Sequence, residues 1–251
     1  MMSEKHRDTI TTVLFDMYGT LVDIKTDEHR DDIFESLSRF LEYRQVYIPP
    51  GEFKELYFSH INQQLAKSRE NHPEIDVALA FEDVLSHHGG AYNRYLAMIT
   101  TQLYRSLCRE RMKLFPDTFW TLNKFRKRYR LGIVSDSQRL FCKAELKALR
   151  IEDFFDVVVI SSDYGFRKPD PRLFNIALTI FNVGASEAVY IGNNFETDAV
   201  GAKKAGFGLV GLIHQTDEDK MGYLVEHVPD FIAANLSEAF EMVTGDKKYV
   251  T

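Results

Sequence analysis

The chain has 251 residues, of which 45% are hydrophobic, and a net charge of −6. This length is enough for one large domain or two small ones with an apolar core. The negative net charge disfavours a nucleic-acid-binding protein. The two cysteines have no metal-ligand spacing and form no disulfide framework. No apolar stretch approaches the roughly 18 residues of a membrane span and no signal-peptide pattern is present, so we expect a cytoplasmic protein with no nucleic-acid or membrane partner.

Five short apolar runs, rich in valine and isoleucine, are the candidate strands. None of them alternates cleanly between apolar and polar residues, which is typical of parallel strands that are buried on both faces. Helical patterns separate the later runs, and this alternation predicts an α/β fold with a Rossmann-like parallel sheet. The predicted strands are residues 11–16, 131–136, 155–161, 188–192 and 208–213.

More than a hundred residues of a different character separate the first strand from the second. Their apolar residues recur at helical spacing around residues 33–41, 53–65 and 77–85, and residues 91–109 can hold a fourth helix. A helical bundle is therefore predicted as an insertion after the first strand. The expected segments are an α/β core of residues 1–24 and 113–251 and a helical cap of residues 25–112.

Polar residues follow the ends of four of the predicted strands. In a parallel sheet these ends meet at one edge, where ligands bind. Lys168 follows the third of the four ends and Asp198 the fourth, so carboxylates, a serine, a lysine and amides would meet in one crevice. A single strand-end aspartate often only caps the next helix, but four compatible ends together predict a functional site. The strand-end residues are Asp16, Ser135, Asp136, Asp163, Asn193 and Asn194.

Four segments carry a resemblance to a known family. FDMYGTL, VSDS, RKPDP and GNNFETDAVGAKKAG occur in this order, and together they resemble the four motifs of the haloacid dehalogenase superfamily. The inserted helices resemble the type-one cap of that superfamily. The resemblance implies a hydrolase that acts on a small anionic molecule through a covalent intermediate. We expect it to be a monomer or a homodimer.

The resemblance assigns the covalent chemistry to three charged residues. Asp16 would be the nucleophile, because a carboxylate can attack carbon or phosphorus and form an ester or acyl phosphate that water later cleaves. Lys168 would balance the crowded negative charge and keep Asp16 ionised. Asp198 would hold Lys168, orient water or help to bind a cation.

Other residues would hold the substrate anion. Thr20 and Ser135 would donate hydrogen bonds to the nucleophile or to the anion, and Asp136 would contact the substrate beside them. The main-chain amides at Tyr18 and Gly19 would cradle the anion, because glycine permits the tight turn that this needs.

Tyr18 stands two residues after Asp16, where phosphatases of this superfamily usually have a second aspartate as general acid. A general acid contributes roughly 10²–10⁴-fold, and tyrosine, with an ordinary pKa of about 10, replaces it poorly near neutral pH. A halide needs no proton to leave. The first motif is therefore most similar to that of the 2-haloacid dehalogenases, which use no metal cofactor.

The fourth motif has features of both the phosphatases and the dehalogenases. Asn193 stands where phosphatases have an aspartate that binds Mg²⁺, and an amide oxygen contributes less charge to a cation. Under the phosphatase interpretation, Asp16, Asn193 and Asp198 would bind Mg²⁺. Asn194 would be the counterpart of an asparagine that dehalogenases use at the substrate, although the spacing of the motif follows the phosphatases.

Three interpretations stay open at this point. Hydrolysis of a carbon–halogen bond in a small organic acid is favoured, and a Mg²⁺-dependent phosphatase for small phosphate esters or acyl phosphates is the alternative. Dehalogenases clamp the substrate carboxylate with a cap arginine, for which Arg39 and Arg44 are the candidates, but they also have a tyrosine where this chain has Phe174. The third interpretation is a non-catalytic binding or regulatory protein whose site has decayed.

Overall fold

A computed structural model gives the structure of residues 9–88, 94–213 and 229–246. Eight strands occur in these ranges, of which six form one sheet and two form a separate ribbon. In chain order the strands are β1 (Thr12–Phe15), β2 (Val22–Thr26), β3 (Arg109–Leu114), β4 (Arg130–Ser135), β5 (Val157–Ile160), β6 (Ala188–Gly192), β7 (Leu209–Ile213) and β8 (Phe231–Ala233).

Nine α-helices occur in the same ranges. The first four lie between β2 and β3, the fifth lies between β3 and β4, and the others follow strands of the core sheet. The fourth helix begins at Arg94, and the preceding residues 91–93 of its predicted range lie outside the described residues. In chain order the helices are α1 (Asp31–Tyr43), α2 (Pro50–Lys67), α3 (Val77–His87), α4 (Arg94–Cys108), α5 (Thr118–Arg126), α6 (Arg139–Ala148), α7 (Pro171–Phe181), α8 (Val200–Lys204) and α9 (Leu236–Thr244).

The core sheet is parallel throughout and has the strand order β5-β4-β1-β6-β7-β8. β1 lies inside the sheet, with Phe15 beside Ile133 of β4 on one side and Ile191 of β6 on the other. All four residues of β1 are buried, because helices cover both faces of the sheet, as parallel sheets require. The predicted α/β fold with an inserted helical cap is confirmed.

The antiparallel ribbon of β2 and β3 connects the core to the inserted helices. Sequence patterns did not reveal it, because most side chains of β3 are exposed and it lacks an apolar run. The predicted boundaries, after residue 24 and before residue 113, fall inside the two strands of this ribbon. The division into two domains at these residues stays a prediction.

The four inserted helices have an apolar cluster of their own, built largely from aromatic rings. Phe34 meets Phe53 edge to face at a centroid distance of 5.8 Å, and Tyr57 stacks on Phe81 at 4.7 Å. Such pairs contribute about 0.5–1.5 kcal/mol each beyond the burial of their area. No helix in the described ranges is long and apolar enough to cross a membrane.

A loop of the cap also pairs with a loop of the core. Pro73 and Phe166 form an antiparallel bridge, and the amide of Arg167 donates to the carbonyl of His72 at 2.9 Å. This second connection lies apart from the ribbon, so the cap is attached to the core in two places. The space enclosed between them is the cavity described below.

Candidate active site

Three charged residues from three strand ends meet in a buried ion cluster. The Lys168 ammonium donates to Asp16 Oδ1 at 2.7 Å and to Asp198 Oδ1 at 2.6 Å. Asp16 follows β1 directly, and all three side chains are almost fully buried. The structure therefore brings together the three residues for which the sequence predicts the covalent chemistry.

Burial and the neighbouring charges have opposite effects on the pKa values of Asp16 and Lys168. Burial raises the pKa of Asp16 to about 7, and the Lys168 ammonium beside it acts in the opposite direction. Burial disfavours the charged form of Lys168, but Asp16 and Asp198 together raise its pKa well above the ordinary value. Lys168 is thus a fixed cation, and Asp16 is a carboxylate more basic than an exposed aspartate.

The carboxylate of Asp198 is saturated with donors. Beside Lys168 on Oδ1, its Oδ2 accepts from the main-chain amides of Asn193 at 3.1 Å and Asn194 at 3.0 Å. Gly192 makes this approach possible, because a Cβ there would lie 2.4 Å from Cγ of Asp198. Asp198 therefore positions Lys168 and the loop after β6.

Tyr190, on β6, also belongs to this cluster, although its position was not predicted. Its hydroxyl lies 2.9 Å from Asp198 Oδ1 and 3.1 Å from the carbonyl of Val134, and it accepts from Lys168 at 3.2 Å. The single hydroxyl proton is thus shared between the two acceptors. No sequence pattern indicates that Tyr190 bonds to the ion cluster, because tyrosines in buried strands are common and usually only pack in the core.

The turn after Asp16 packs against the fourth motif. Gly19 has a φ of +81°, and a Cβ there would lie 2.3 Å from Nδ2 of Asn193, so both the backbone conformation and the close contact require glycine. The Thr20 hydroxyl donates to Asn193 Oδ1 at 3.2 Å. Thr20, Gly19 and Asn193 therefore lie together, but the Thr20 hydroxyl, which was expected to donate to the nucleophile or to the substrate anion, donates to Asn193 instead.

Two residues at the end of β4 differ in their hydrogen bonding. Ser135 is fully buried, and its Oγ has no hydrogen-bond partner among the described residues. Asp136 accepts from the amide of Lys168 at 2.9 Å, and burial raises its pKa. Buried hydroxyls are normally bonded, and the cap residues Ser38 and Thr100 share this lack of a partner with Ser135.

The Tyr18 side chain is bound by a buried carboxylate. Its hydroxyl donates to Oε2 of Glu145 at 2.5 Å, and Arg105 of the cap donates to the same carboxylate from Nε at 2.7 Å and from Nη2 at 3.3 Å. The Arg105 guanidinium also lies over the Tyr18 ring, 5.5 Å from its centroid. This triad joins the loop after the nucleophile to α6 of the core and α4 of the cap.

Glu145 and Arg105 were not predicted, although one of them leaves a signal. Glu145 lies on the same helical face as the buried Phe141, Cys142 and Leu146, and an acidic residue in an apolar stripe indicates a buried partner. Arg105 follows the buried Tyr104 on α4. No local pattern separates it from an ordinary exposed arginine.

Two predicted substrate contacts are corrected by the structure. Arg44 is the exposed residue that follows the end of α1, and its guanidinium lies over the Phe40 ring rather than in the cavity. Arg39 is likewise exposed. The Asn194 side chain accepts from the amides of Glu196 and Thr197 at 2.9 and 3.1 Å, so it caps the helical turn that follows it.

The predicted Mg²⁺ ligands do not present a set of available oxygens. Both oxygens of Asp198 accept from donors, and Asn193 Oδ1 accepts from Thr20. Mg²⁺ requires oxygen ligands in near-octahedral geometry, and Asp16 has only Oδ2 to offer. Within the described residues no group of three or more His, Cys, Asp or Glu side chains is arranged to hold a metal ion. To bind Mg²⁺ through these three side chains, Asn193 and Asp198 would have to release a donor or accept a second contact on an oxygen that is already bonded.

A cavity of about 510 Å³ lies between the cap and the core. Tyr18, Asp136 and Arg105 line it, together with aromatic and aliphatic side chains of the cap. Asp136 also contributes to the raised pKa of Asp16, which places it within electrostatic reach of that carboxylate. Asp136 also accepts from the amide of Lys168, so the cavity adjoins the ion cluster, although Asp16, Lys168 and Asp198 are not among the residues that line it.

A strand-end aspartate bound to a buried lysine, beneath an inserted cap, defines a class of α/β hydrolases. The chain belongs to the haloacid dehalogenase-like hydrolases, because residues 13–212 match the model of that family.

Two relatives of this chain are named as phosphatases. A glyceraldehyde 3-phosphate phosphatase from Pyrococcus abyssi is 42% identical over 82 residues, which cover 33% of this chain and 34% of that protein. The pyrophosphatase PpaX from Bacillus cereus is 26% identical over 236 residues, which cover 94% of this chain and 97% of that protein. The match to the first of these spans only about a third of its length.

A solved structure shows the same fold over the whole chain. The crystal structure of a 2-haloacid dehalogenase from Pseudomonas syringae pv. Tomato DC3000 covers 94% of this chain and 98% of its own, with a TM-score of 0.67 and 22% sequence identity. At this identity the similarity concerns the fold alone.

Proposed function

We propose that the protein hydrolyses the carbon–halogen bond of a 2-halo acid through a covalent ester on Asp16. The observation that carries this proposal is the hydrogen bond from the Tyr18 hydroxyl to Glu145. Burial and the Glu145 charge raise the pKa of Tyr18, so at neutral pH it is not an acid that could protonate a leaving group. A leaving group that departs without a proton, such as a halide, needs no such acid.

The chemistry takes two steps. An oxygen of Asp16 attacks C2 of the halo acid, the carbon–halogen bond breaks, and the halide leaves with its electron pair. Water then attacks the carbonyl carbon of the ester, which releases a 2-hydroxy acid and regenerates the Asp16 carboxylate. Lys168 stabilises the carboxylate before attack and after release, because its ammonium is fixed 2.7 Å away.

Other residues would hold the substrate and the water. The Ser135 hydroxyl, which lacks a partner among the described residues, would donate to the substrate carboxylate. A main-chain amide of the turn would join it, but not that of Gly19, because the Gly19 amide already donates to the carbonyl of Val22 at 2.8 Å. Asp136 lines the cavity, and burial raises its pKa, so it would accept the proton from the attacking water. Asp198 is fully engaged and would only position Lys168.

A phosphatase is the second candidate. It is favoured by the names of the relatives and by the phosphatase-like spacing between Gly192 and Asp198. Without an acid at Tyr18, such an enzyme would work best on acyl phosphates, whose leaving groups need less protonation. Its substrate would react at phosphorus and form an acyl phosphate on Asp16.

A paired turnover assay separates the candidates. One arm follows halide release from 2-chloropropionate and 2-bromo-3-phenylpropionate with EDTA present, and the other follows phosphate release from acetyl phosphate and p-nitrophenyl phosphate with Mg²⁺. We expect halide release at a rate that chelation of metal ions by EDTA does not reduce. Asp16→Asn should abolish this release. Phosphate release that depends on Mg²⁺, without halide release, would overturn the proposal in favour of the second candidate.

A further inference from the structure

The cavity is far larger than a two- or three-carbon acid requires. Its volume of about 510 Å³ lies within the range of roughly 300–1,000 Å³ that is typical of pockets for drug-sized ligands. Its wall combines Tyr18 and Asp136 of the core with Tyr57, Phe58 and Ile61 of the cap. A substrate that reacts at Asp16 would therefore extend a body of considerable size towards the cap.

The cap side of the cavity presents ring faces that are held in place. The His29 ring stacks on Phe58 at a centroid distance of 4.7 Å and an angle of 13°, and Phe58 meets Tyr57 at 5.0 Å. Tyr57 in turn stacks on the buried Phe81. Tyr57, Phe58 and Phe81 belong to the cap's own apolar cluster, so packing holds this part of the wall in place before a ligand arrives, which lowers the entropic cost of binding.

Several polar side chains on the wall are already bonded within the protein. Arg105 is held by Glu145. Gln138 donates to the carbonyl of Ile75 at 2.8 Å and accepts from the amide of Val77 at 3.1 Å. They have little capacity left for the hydroxyl groups of a sugar, and a ligand hydroxyl buried there without partners would lose affinity.

Carboxylates dominate the charge of the wall. Glu28, Glu74 and Asp136 line the cavity, and the charge of Arg105 is balanced by Glu145. Arg167, an exposed residue that also lines the cavity, acts to lower the pKa of Glu74 and of Asp136 and so balances one of the three charges. A second anionic group on the substrate body would therefore meet repulsion in a site of low dielectric constant.

We propose that the cavity binds a planar, uncharged aromatic body, attached to the anionic group that reacts at Asp16. Stacked rings attract a planar apolar group, and the carboxylates of the wall disfavour a second phosphate. The position of the reacting group rests on the function proposed above. The chemistry of the body rests on the wall of the cavity alone.

Calorimetric binding of non-reacting acids to the intact protein tests this inference without any turnover. The probes are 3-phenyllactate, lactate and glycerate, which share a 2-hydroxy acid head and differ in the body. We expect 3-phenyllactate to bind at least about tenfold more tightly than lactate, since burying a phenyl group is worth that much or more. We expect glycerate to bind no more tightly than lactate. Equal affinities for 3-phenyllactate and lactate would overturn the inference.

Variants locate the bound ring. Phe58→Ala should remove most of the preference for 3-phenyllactate, because it removes a ring from the wall. Ile61→Trp should also remove it, because the larger side chain fills the cavity. Phe119→Ala is the matched control, because Phe119 is an exposed ring that contacts Phe154 on the core. Near-ultraviolet circular dichroism verifies that each variant is folded.

The outcomes separate this inference from the proposed function. A preference for 3-phenyllactate that survives both Phe58→Ala and Ile61→Trp in folded protein would place the ring elsewhere and overturn the inference. A preference that both variants abolish, in a protein that releases no halide from any haloacid, would support the aromatic cavity and reject the dehalogenase.

Discussion

Replacing Glu145 by glutamine would remove the charge at the centre of the buried triad while keeping its shape. The Glu145 side chain is 5% exposed and that of Arg105 16% exposed, and their closest atoms are 2.7 Å apart. Glutamine can still accept the hydrogen bond of Tyr18, so the main loss is the counter-charge of Arg105. An arginine left buried without its partner typically costs about 3–5 kcal/mol of unfolding free energy.

An exposed ion pair of the same length provides the control. Arg111 and Asp23 also approach to 2.7 Å, but the Arg111 side chain is 49% exposed. Exposed pairs contribute about 0–1 kcal/mol, so Arg111→Gln should change the unfolding free energy by less than about 1 kcal/mol. The two pairs differ in burial and not in distance, which isolates the effect of desolvation.

Urea unfolding, followed by circular dichroism, measures both variants. We predict that Glu145→Gln loses at least about 3 kcal/mol and that the double variant with Arg105→Met recovers a substantial part of this loss, because no unpaired charge remains. A loss below 1 kcal/mol for Glu145→Gln, equal to that of Arg111→Gln, would refute the reasoning and show that the pair is effectively solvated.

Three further predictions concern the ion cluster. The turnover rate should fall about tenfold per pH unit once the pH drops below about 7, because burial raises the pKa of Asp16 to about 7 and only its ionised form attacks; a rate that is constant down to pH 5 would contradict this. Lys168→Met should abolish turnover at pH 7, because two buried carboxylates lose their common cation, and a rate within tenfold of the original would show that Lys168 is dispensable. Ser135→Ala should raise KM while changing the unfolding free energy by less than about 1 kcal/mol, because its hydroxyl has no protein partner among the described residues; a large destabilisation with an unchanged KM would mean that the hydroxyl is structural.

The residues at strand ends were predictable because the geometry of a parallel sheet determines where they meet. Asp16 and Asp198 follow strands that are adjacent in the sheet. An apolar run that ends on a charge marks Asp16, whereas the run of β6 is followed by Asn193 and Asn194, and Asp198 was assigned through its motif. Lys168 could be added through its motif. These residues meet because of the backbone topology, which hydrophobic patterns reveal well.

The residues that reach the site from helices were not predictable in the same way. Which arginine of the cap faces the core depends on how the cap is placed on the core, and Arg44 and Arg105 look alike in sequence. Tyr18 was correctly recognised as an unusual residue, but its partner Glu145 is 127 positions away and could be found only in three dimensions. Long-range side-chain pairs of this kind leave little local signal.

The most direct test of the central claim is a single turnover in H₂¹⁸O with EDTA present and enzyme in excess over 2-bromo-3-phenylpropionate. Because water attacks the ester at the carboxyl carbon of Asp16, one ¹⁸O atom should appear in the peptide that contains Asp16, and the 2-hydroxy acid should contain none. An unlabelled Asp16 peptide together with a labelled product would contradict the account, since it would mean that water attacks the substrate directly.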